Sequence, residues 1–185
     1  MLTTLPLTTG TWTFDAAHSG VHFKVRHLGL TNVRGRFNGI DASLVVGEDL
    51  AGTSVGATID IGSVDTNNAD RDAHLRTTDF FAADAHPTIT FASTAIRDEG
   101  DGEYEADGDL TINGVTKPVT LKVEFTGEVV HPGDGKAHAG FIATAQILRD
   151  DFGIDFNMPL GVDKFALGKK IDIDIDVQFV APAAG

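Results

Sequence analysis

Cysteine is absent from the 185 residues, which excludes disulfides, thiolate metal sites and cysteine nucleophiles. Long apolar runs are absent as well. Although 42% of the chain is hydrophobic, no stretch approaches the roughly 18 consecutive apolar residues of a membrane-spanning helix, so no integral membrane segment is expected. Basic residues are scarce: 14 Lys and Arg stand against 27 Asp and Glu, a formal charge of −13. Nucleic acid is therefore not an expected partner, since neutralising phosphates supplies most of that binding. The opening Met1-Leu2-Thr3-Thr4-Leu5-Pro6 has no basic start, no apolar core of secretory length and no small-residue cleavage site, which points to the cytoplasm. The length fits one domain over residues 1–185, with 1–9 and 182–185 expected as flexible tails.

What the sequence has in abundance is period-two alternation, the mark of strands with one buried and one wet face. Ile171, Ile173, Ile175, Val177 and Phe179 alternate with Asp172, Asp174, Asp176 and Gln178. Val119, Leu121, Val123 and Phe125 alternate with Thr120, Lys122 and Glu124. The same pattern runs through Val21–Val25, Val55–Ile61, Ile89–Ser93 and Tyr104–Ile112. Between Val33 and Val46 the inward parity changes, which predicts a bulge near Asn38-Gly39. One helix is predicted at about 69–77, capped by Asn67 or Asn68, with Asp70 and Asp72 at its positive end. Asp98–Gly102 and Asn113-Gly114 carry hairpin-turn chemistry.

About eight strands with these lengths fit an all-β antiparallel barrel better than a sandwich, because the inward faces mix bulky with very small residues. Ala57, Ala106, Gly108, Ala143 and Ala145 leave room that Phe23, Phe37, Phe91, Phe125 and Phe141 either fill or leave as a pocket. An eight-stranded barrel has an interior suited to one small ligand, as in lipocalins. Gly10-Thr11-Trp12 resembles the lipocalin G-x-W, though a tripeptide has little weight. Phe80-Phe81 follows the helix and either covers a mouth or anchors the helix. Phe152 and Phe156 fall in a loop of about fifteen residues after Arg149, a length that marks a functional or mobile segment and is assigned to the pocket entrance.

Several patterns resemble catalytic or metal motifs but fail on context. Gly52-Thr53-Ser54-Val55-Gly56 matches G-x-S-x-G, yet a strand follows it where the serine-hydrolase elbow needs a helix. Asp172, Asp174 and Asp176 begin like a calcium loop, but Val177 and Ala183 stand where that loop needs Gly and Glu. His22 and His27 point to opposite faces of one strand, and His18 precedes it, which argues against a shared metal. His74, His86, His131 and His138 are scattered through predicted helix and loop positions. The window from Ala16 to Ile40 has no acidic residue but contains Lys24, Arg26, Arg34 and Arg36. It is either a cationic seat for an anionic head group or a plain solvated face.

An ordered series of motifs from Trp12 to Phe179 resembles the YceI-like family of lipocalin-like polyisoprenoid-binding proteins. Asp15-Ala16-Ala17-His18-Ser19 with Phe23 and His27 opens it, followed by Gly35-Arg36-Phe37, Asp79-Phe80-Phe81, His86-Pro87 and Ile89-Thr90-Phe91. The most specific stretch is Gly108 to Val119, and Arg149 with Phe152-Gly153-Ile154 closes the series. The resemblance implies an extended antiparallel barrel, often dimeric, with a long isoprenoid chain in its interior, and implies no catalytic residue; an eight-stranded barrel with an isoprenoid or fatty lipid ligand, no cofactor and no metal is expected. Many members carry a secretory signal, which this opening lacks, and Asn113 stands where the family often has a basic residue.

The expected function is accordingly non-catalytic binding, storage or transport of a polyisoprenoid. Its tail would meet Val21, Phe23, Val25, Phe37, Ala57 and Ile59, then Phe80, Phe81, Phe91, Leu110, Phe125, Phe141, Ala143, Phe152 and Phe156. The head group would meet His18, Arg26 or Arg149. Two alternatives stand beside this: a hydrolase or isomerase of a lipophilic substrate using His18 and Ser19, and a structural or stress-protective barrel filled by its own side chains.

Overall fold

A computed structural model describes residues 4–183. The strands run β1 (Gly10–Phe14), β2 (Gly20–His27), β3 (Thr31–Phe37), β4 (Ile40–Val46), β5 (Ser54–Asp60) and β6 (Val64–Asp65). Helix α1 (Ala69–Leu75) follows, then β7 (Thr88–Gly100), β8 (Glu103–Ile112), β9 (Val115–Val130) and β10 (Ala137–Leu148). A two-stranded hairpin, β11 (Pro159–Gly161) with β12 (Lys164–Phe165), precedes the long β13 (Leu167–Val180).

All pairings are antiparallel, and the sheet closes because β13 pairs with β10 and β2 along its length and with β1 at its end, while β1 also pairs with β4. Three long strands are each broken once: between β1 and β2 by a 3-10 turn at Ala16–His18, between β3 and β4 at Asn38-Gly39, and between β5 and β6 by a 3-10 turn at Ile61–Ser63. With each pair of segments taken as one, this is the closed eight-stranded barrel expected. The predicted bulge at Asn38-Gly39 is a complete break. There Asn38 N–H donates to Ser63 O and Gly39 O accepts from Asp60 N–H, so the chain changes partners as it changes parity.

Local chemistry sets the corners. Asn113 and Gly114 both have positive φ, 53° and 71°, as do Asp101 and Gly102 at 55° and 84°, the pair of left-handed residues that a tight hairpin needs. Asn68 caps α1 by accepting from the Arg71 N–H at 2.9 Å. The helix stops at Leu75, two residues short of the predicted end, where Thr77 Oγ1 and N–H both turn back to His74 O. Beside it the buried Asp72 carboxylate accepts from Thr66 N–H and Oγ1, and Arg71 Nε and Nη2 donate to Thr66 Oγ1 and O.

Two packed clusters occupy the barrel's ends. One gathers Phe37, Ile61, Val64, Ile112, Phe152 and Ile154 beneath α1. The other gathers Trp12, Leu44, Tyr104, Ala139, Phe141 and Phe179. Leu5 belongs to the second cluster, and Trp12 Nε1 donates to Thr8 O at 2.9 Å. The segment expected as a loose tail at 1–9 is therefore docked from Leu5 onward, with residues 1–3 outside the described range; of the tail expected at 182–185, residues 184–185 also lie outside it.

Candidate ligand-binding site

A cavity of about 700 Å³ lies between the two clusters, within the roughly 300–1,000 Å³ range of small-molecule sites. Its wall is almost wholly apolar because β13, β2, β9 and β8 each turn one residue in two inward. Ile171, Ile173, Ile175 and Val177 supply one side and Val119, Leu121, Val123 and Leu110 the other. The aspartates and lysine between them take the outer face, where Lys24 pairs with Asp172 and Gln146 donates to it.

One end of the cavity is shut. Leu5, Leu44, Tyr104, Phe141 and Phe179, which line it there, are all buried. At the other end the lining residues Arg71, His74 and Met158 are exposed, so the opening lies between α1, the β2–β3 turn and the segment preceding β13. Phe80, Phe156 and His74 pack edge-on or tilted with centroids 5.0–5.3 Å apart and form one jamb of this mouth. Leu28 N–H donates to Ala166 O at 2.7 Å and ties the β2–β3 turn to the opposite jamb.

Arg149 is the buried cation of the cavity wall, 5% exposed. Its Nε donates to Gly168 O at 2.9 Å, and its Nη1 to Ile154 O at 2.9 Å and Phe156 O at 2.8 Å. One side chain thus folds the segment 149–168 back over the barrel. Burial pushes the guanidinium down from its ordinary range, against the pull of Asp150 and Asp155.

A family model described as the YceI-like domain matches residues 12–179. The chain belongs to the YceI-like family. A UPF0312 protein of Vibrio cholerae is 42% identical over 165 residues, 89% of this chain and 82% of the relative. A UPF0312 protein of Staphylococcus epidermidis is 38% identical over 167 residues, 90% of this chain and 95% of the relative. The solved Campylobacter jejuni YCEI protein is similar at a TM-score of 0.72 and 30% identity, covering 86% of this chain and 91% of that one. A polyisoprenoid binding domain from Saccharophagus degradans, at 15% identity, shares the fold: TM-score 0.65 over 95% of this chain and 100% of that one.

In this YceI-like barrel the aromatic and aliphatic residues picked out by sequence converge with one exception. Val21, Phe23, Val25, Phe37, Ala57 and Ile59 line the cavity, as do Phe80, Phe81, Phe91 and Leu110 and, farther along, Phe141, Ala143, Phe152 and Phe156. Phe81 lines the cavity and packs on the core, its ring meeting Phe37 edge-on at 5.9 Å, the anchoring role of the two considered for it. Phe125 is the exception. Gly140 pairs with Gly127 but Phe141 with Phe125, so Thr126 is an extra residue in β9, and Phe125 packs on Phe141 beyond the shut end, at 5.4 Å.

Two of the three head-group candidates are displaced. His18 sits exposed on the 3-10 turn with Nδ1 2.8 Å from Asp15 Oδ2, away from the cavity wall. Arg26 is on the wet face of β2 and donates to Leu30 O. The acid-free window is thus a solvated strand face whose partners come from elsewhere: Asp172 for Lys24 and Asp65 for Arg36. The Ser19 hydroxyl donates to Asp15 O and accepts from Gln178 N–H, so His18 and Ser19 do not form a nucleophile and base in the pocket. The polar residues that line the wall near the mouth include His27 at the end of β2, and Arg71 and His74 from α1. The signal for Arg71 and His74 was the helix itself, placed between two strands of a barrel it has to close.

Proposed function

We propose that this YceI-like protein holds one molecule of a long amphiphilic lipid, of polyisoprenoid type, with its tail in the barrel and its head group at the mouth, and stores or carries it chemically unchanged. The observation that carries this reading is the apolar cavity of about 700 Å³, shut at one end by packed side chains and open at the other. A polyprenyl tail suits such a wall because it offers only apolar surface. Burying one five-carbon unit gains roughly 4 kcal/mol gross, at about 0.8 kcal/mol per carbon. Eight units would sum to about 32 kcal/mol, above the practical ceiling near 18–21 kcal/mol, so ordering and imperfect contact offset much of the gain.

The head group meets Arg149 on the wall and Arg71 and His74 on α1, which places its charge where the wall first becomes polar. The same cavity disfavours a barrel filled by its own side chains. Native mass spectrometry of the recombinant protein, with organic extraction of any released mass, tests the proposal. A stoichiometric prenyl lipid supports it and identifies the ligand. A bare protein that also takes up no prenyl alcohol or diphosphate in vitro overturns it.

A further inference from the structure

At the shut end of the barrel, far from the lipid mouth, the β9–β10 hairpin gathers three donors that the cavity does not use. His131, Asp134 and His138 each offer a donor atom, and these atoms all lie within 4.8 Å of one another. We propose that they form a site for one transition-metal dication that prefers nitrogen and oxygen donors: zinc, nickel or copper(II).

The hairpin is built to hold this set. His131 N–H donates to Lys136 O at 2.8 Å and Gly135 N–H to His131 O at 2.9 Å, closing the turn on itself. The Lys136 N–H donates to Asp134 Oδ1 at 2.9 Å, which fixes the carboxylate, and Asp134 Oδ2 stands 3.0 Å from His138 Nε2. His131 Nδ1 is 3.7 Å from Asp134 Oδ1, and the two imidazoles face each other with centroids 5.0 Å apart. Two donors, each about 2.1 Å from a tetrahedral ion, stand about 3.4 Å apart, so the observed separations need only small side-chain rotations.

The rear of the site is supported too. His138 has only 12% of its side chain exposed, and Gln178 of β13 donates to its Nδ1 at 2.7 Å. Gln178 Nε2 also stands 3.3 Å from Asp15 Oδ2. A histidine that binds metal through Nε2 donates its Nδ1–H to an acceptor behind it, so metal binding turns the Gln178 amide to present its oxygen to Nδ1, at the cost of its contact with Asp15. Two imidazoles and one carboxylate select borderline transition metals over calcium or magnesium, which take oxygen ligands. The set leaves a fourth position for water or an external ligand. A dication takes the place of the proton between His138 Nε2 and Asp134, the ring proton moving to His138 Nδ1, and it displaces the Gly133 N–H that now donates to His131 Nδ1.

Calorimetric titration of tag-free, chelator-treated full-length protein with zinc chloride tests the site, with cobalt(II) absorption as a second readout. The expected result is one equivalent bound, visible-band intensity typical of a tetrahedral cobalt site, and a roughly tenfold or greater loss of affinity, about 1.4 kcal/mol, in each of His131→Ala, His138→Ala and Asp134→Asn. His18→Ala leaves binding unchanged, since that ring pairs with Asp15 outside the donor set. Absence of saturable binding up to about 1 mM metal, the weak end of measurable affinity, overturns the proposal. So does a full equivalent retained in the His131→Ala/His138→Ala double variant. Circular dichroism confirms that each variant keeps the barrel, which the exposed hairpin tip does not hold together.

Discussion

The ring of Phe91 lies across Gly108 of the neighbouring strand, so close that a Cβ on Gly108 would stand 2.3 Å from Phe91 Cζ and 2.6 Å from the Ala92 carbonyl oxygen. Phe23 covers Gly35 in the same way, with a Cβ there 2.4 Å from Phe23 Cζ and 2.9 Å from Thr66 Cγ2. In both cases a glycine on one strand makes a seat for an aromatic ring of the next, an arrangement that protects bare sheet backbone. The two seats differ in what blocks them. Gly108→Ala is expected to cost about 1–3 kcal/mol by overpacking, and Phe91→Ala to recover only part of it, because the Ala92 carbonyl remains. Gly35→Ala, blocked by side chains alone, is expected to be rescued by Phe23→Ala. Urea unfolding of the singles and doubles reads both; equal rescue at the two sites would contradict this geometry.

These seats explain what the sequence disclosed and what it concealed. Alternation through Ile171–Phe179 was enough to put every second residue on the cavity wall, because in a closed barrel the inner face is the same along each strand. The Asn113-Gly114 turn and the Asn68 cap were legible because each rests on neighbouring residues. Phe125 was misplaced because alternation shows which face a residue takes but not how far along the barrel the cavity reaches: its ring packs on Phe141 in the cluster that shuts the end. His18 and Arg26 were misjudged for another reason: each is held on the outside by a near neighbour, His18 by Asp15 on the 3-10 turn and Arg26 by Leu30 O beside the wet face of β2, so charge in a local window does not say which side of the wall it takes.

On the outer face of β7 and β8, Arg97 meets both Glu105 and Asp107, and Thr120 Oγ1 donates to Asp107 at 2.6 Å. The Arg97 and Thr120 hydrogen bonds hold the Asp107 carboxyl down at about 2. A carboxyl lowered by folding stabilises the native state above its unfolded value near 3.9, and that contribution fades as pH falls through the folded value. The melting-temperature difference between wild type and Asp107→Asn is therefore expected to be small but constant above about pH 5, to shrink below it and to vanish only below about pH 2. Thermal melts across that range check it; a difference that grows toward acid pH would be the wrong sign.

Arg149→Met removes donors from three carbonyls at once, those of Ile154, Phe156 and Gly168. With these acceptors mostly buried, the expected loss is about 2–4 kcal/mol. Amide exchange is expected to accelerate first at Ile154, whose N–H donates to Arg149 O. Arg149→Lys is not a rescue, because a single ammonium cannot span carbonyls that a planar fork reaches. Hydrogen exchange with mass analysis separates this local opening from global unfolding.

Ala143 is buried in β10 and lines the cavity. Phenylalanine there extends into open space, so Ala143→Phe is expected to leave the melting temperature unchanged or raise it while reducing prenyl-lipid affinity at least about tenfold, or 1.4 kcal/mol. Calorimetric unfolding and a fluorescent prenyl-analogue titration measure the two effects. A variant that melts much earlier would mean the space beside Ala143 is already filled, and the filled-barrel reading would regain ground.

The mouth is bordered by apolar side chains that face water. Val162, in the hairpin between β11 and β12, is 90% exposed and Leu30, in the β2–β3 turn, is 75% exposed, with Leu160, Phe165 and Met158 beside Val162 in sequence. Clusters of this kind mark an interaction surface, and a ligand that lives in a bilayer has to cross one on its way to the cavity. Aspartate at Val162 and Leu30 adds charge exactly where apolar contact with a lipid interface would form, yet it touches none of the lining at Phe91, Ala143 or Ile173. Uptake of a prenyl lipid from vesicles is therefore expected to slow by roughly fivefold, about 1 kcal/mol in the barrier, with equilibrium affinity unchanged. Stopped-flow transfer from donor vesicles, set against a detergent-phase binding titration, separates rate from affinity. Loss of affinity without loss of rate would move the entrance elsewhere.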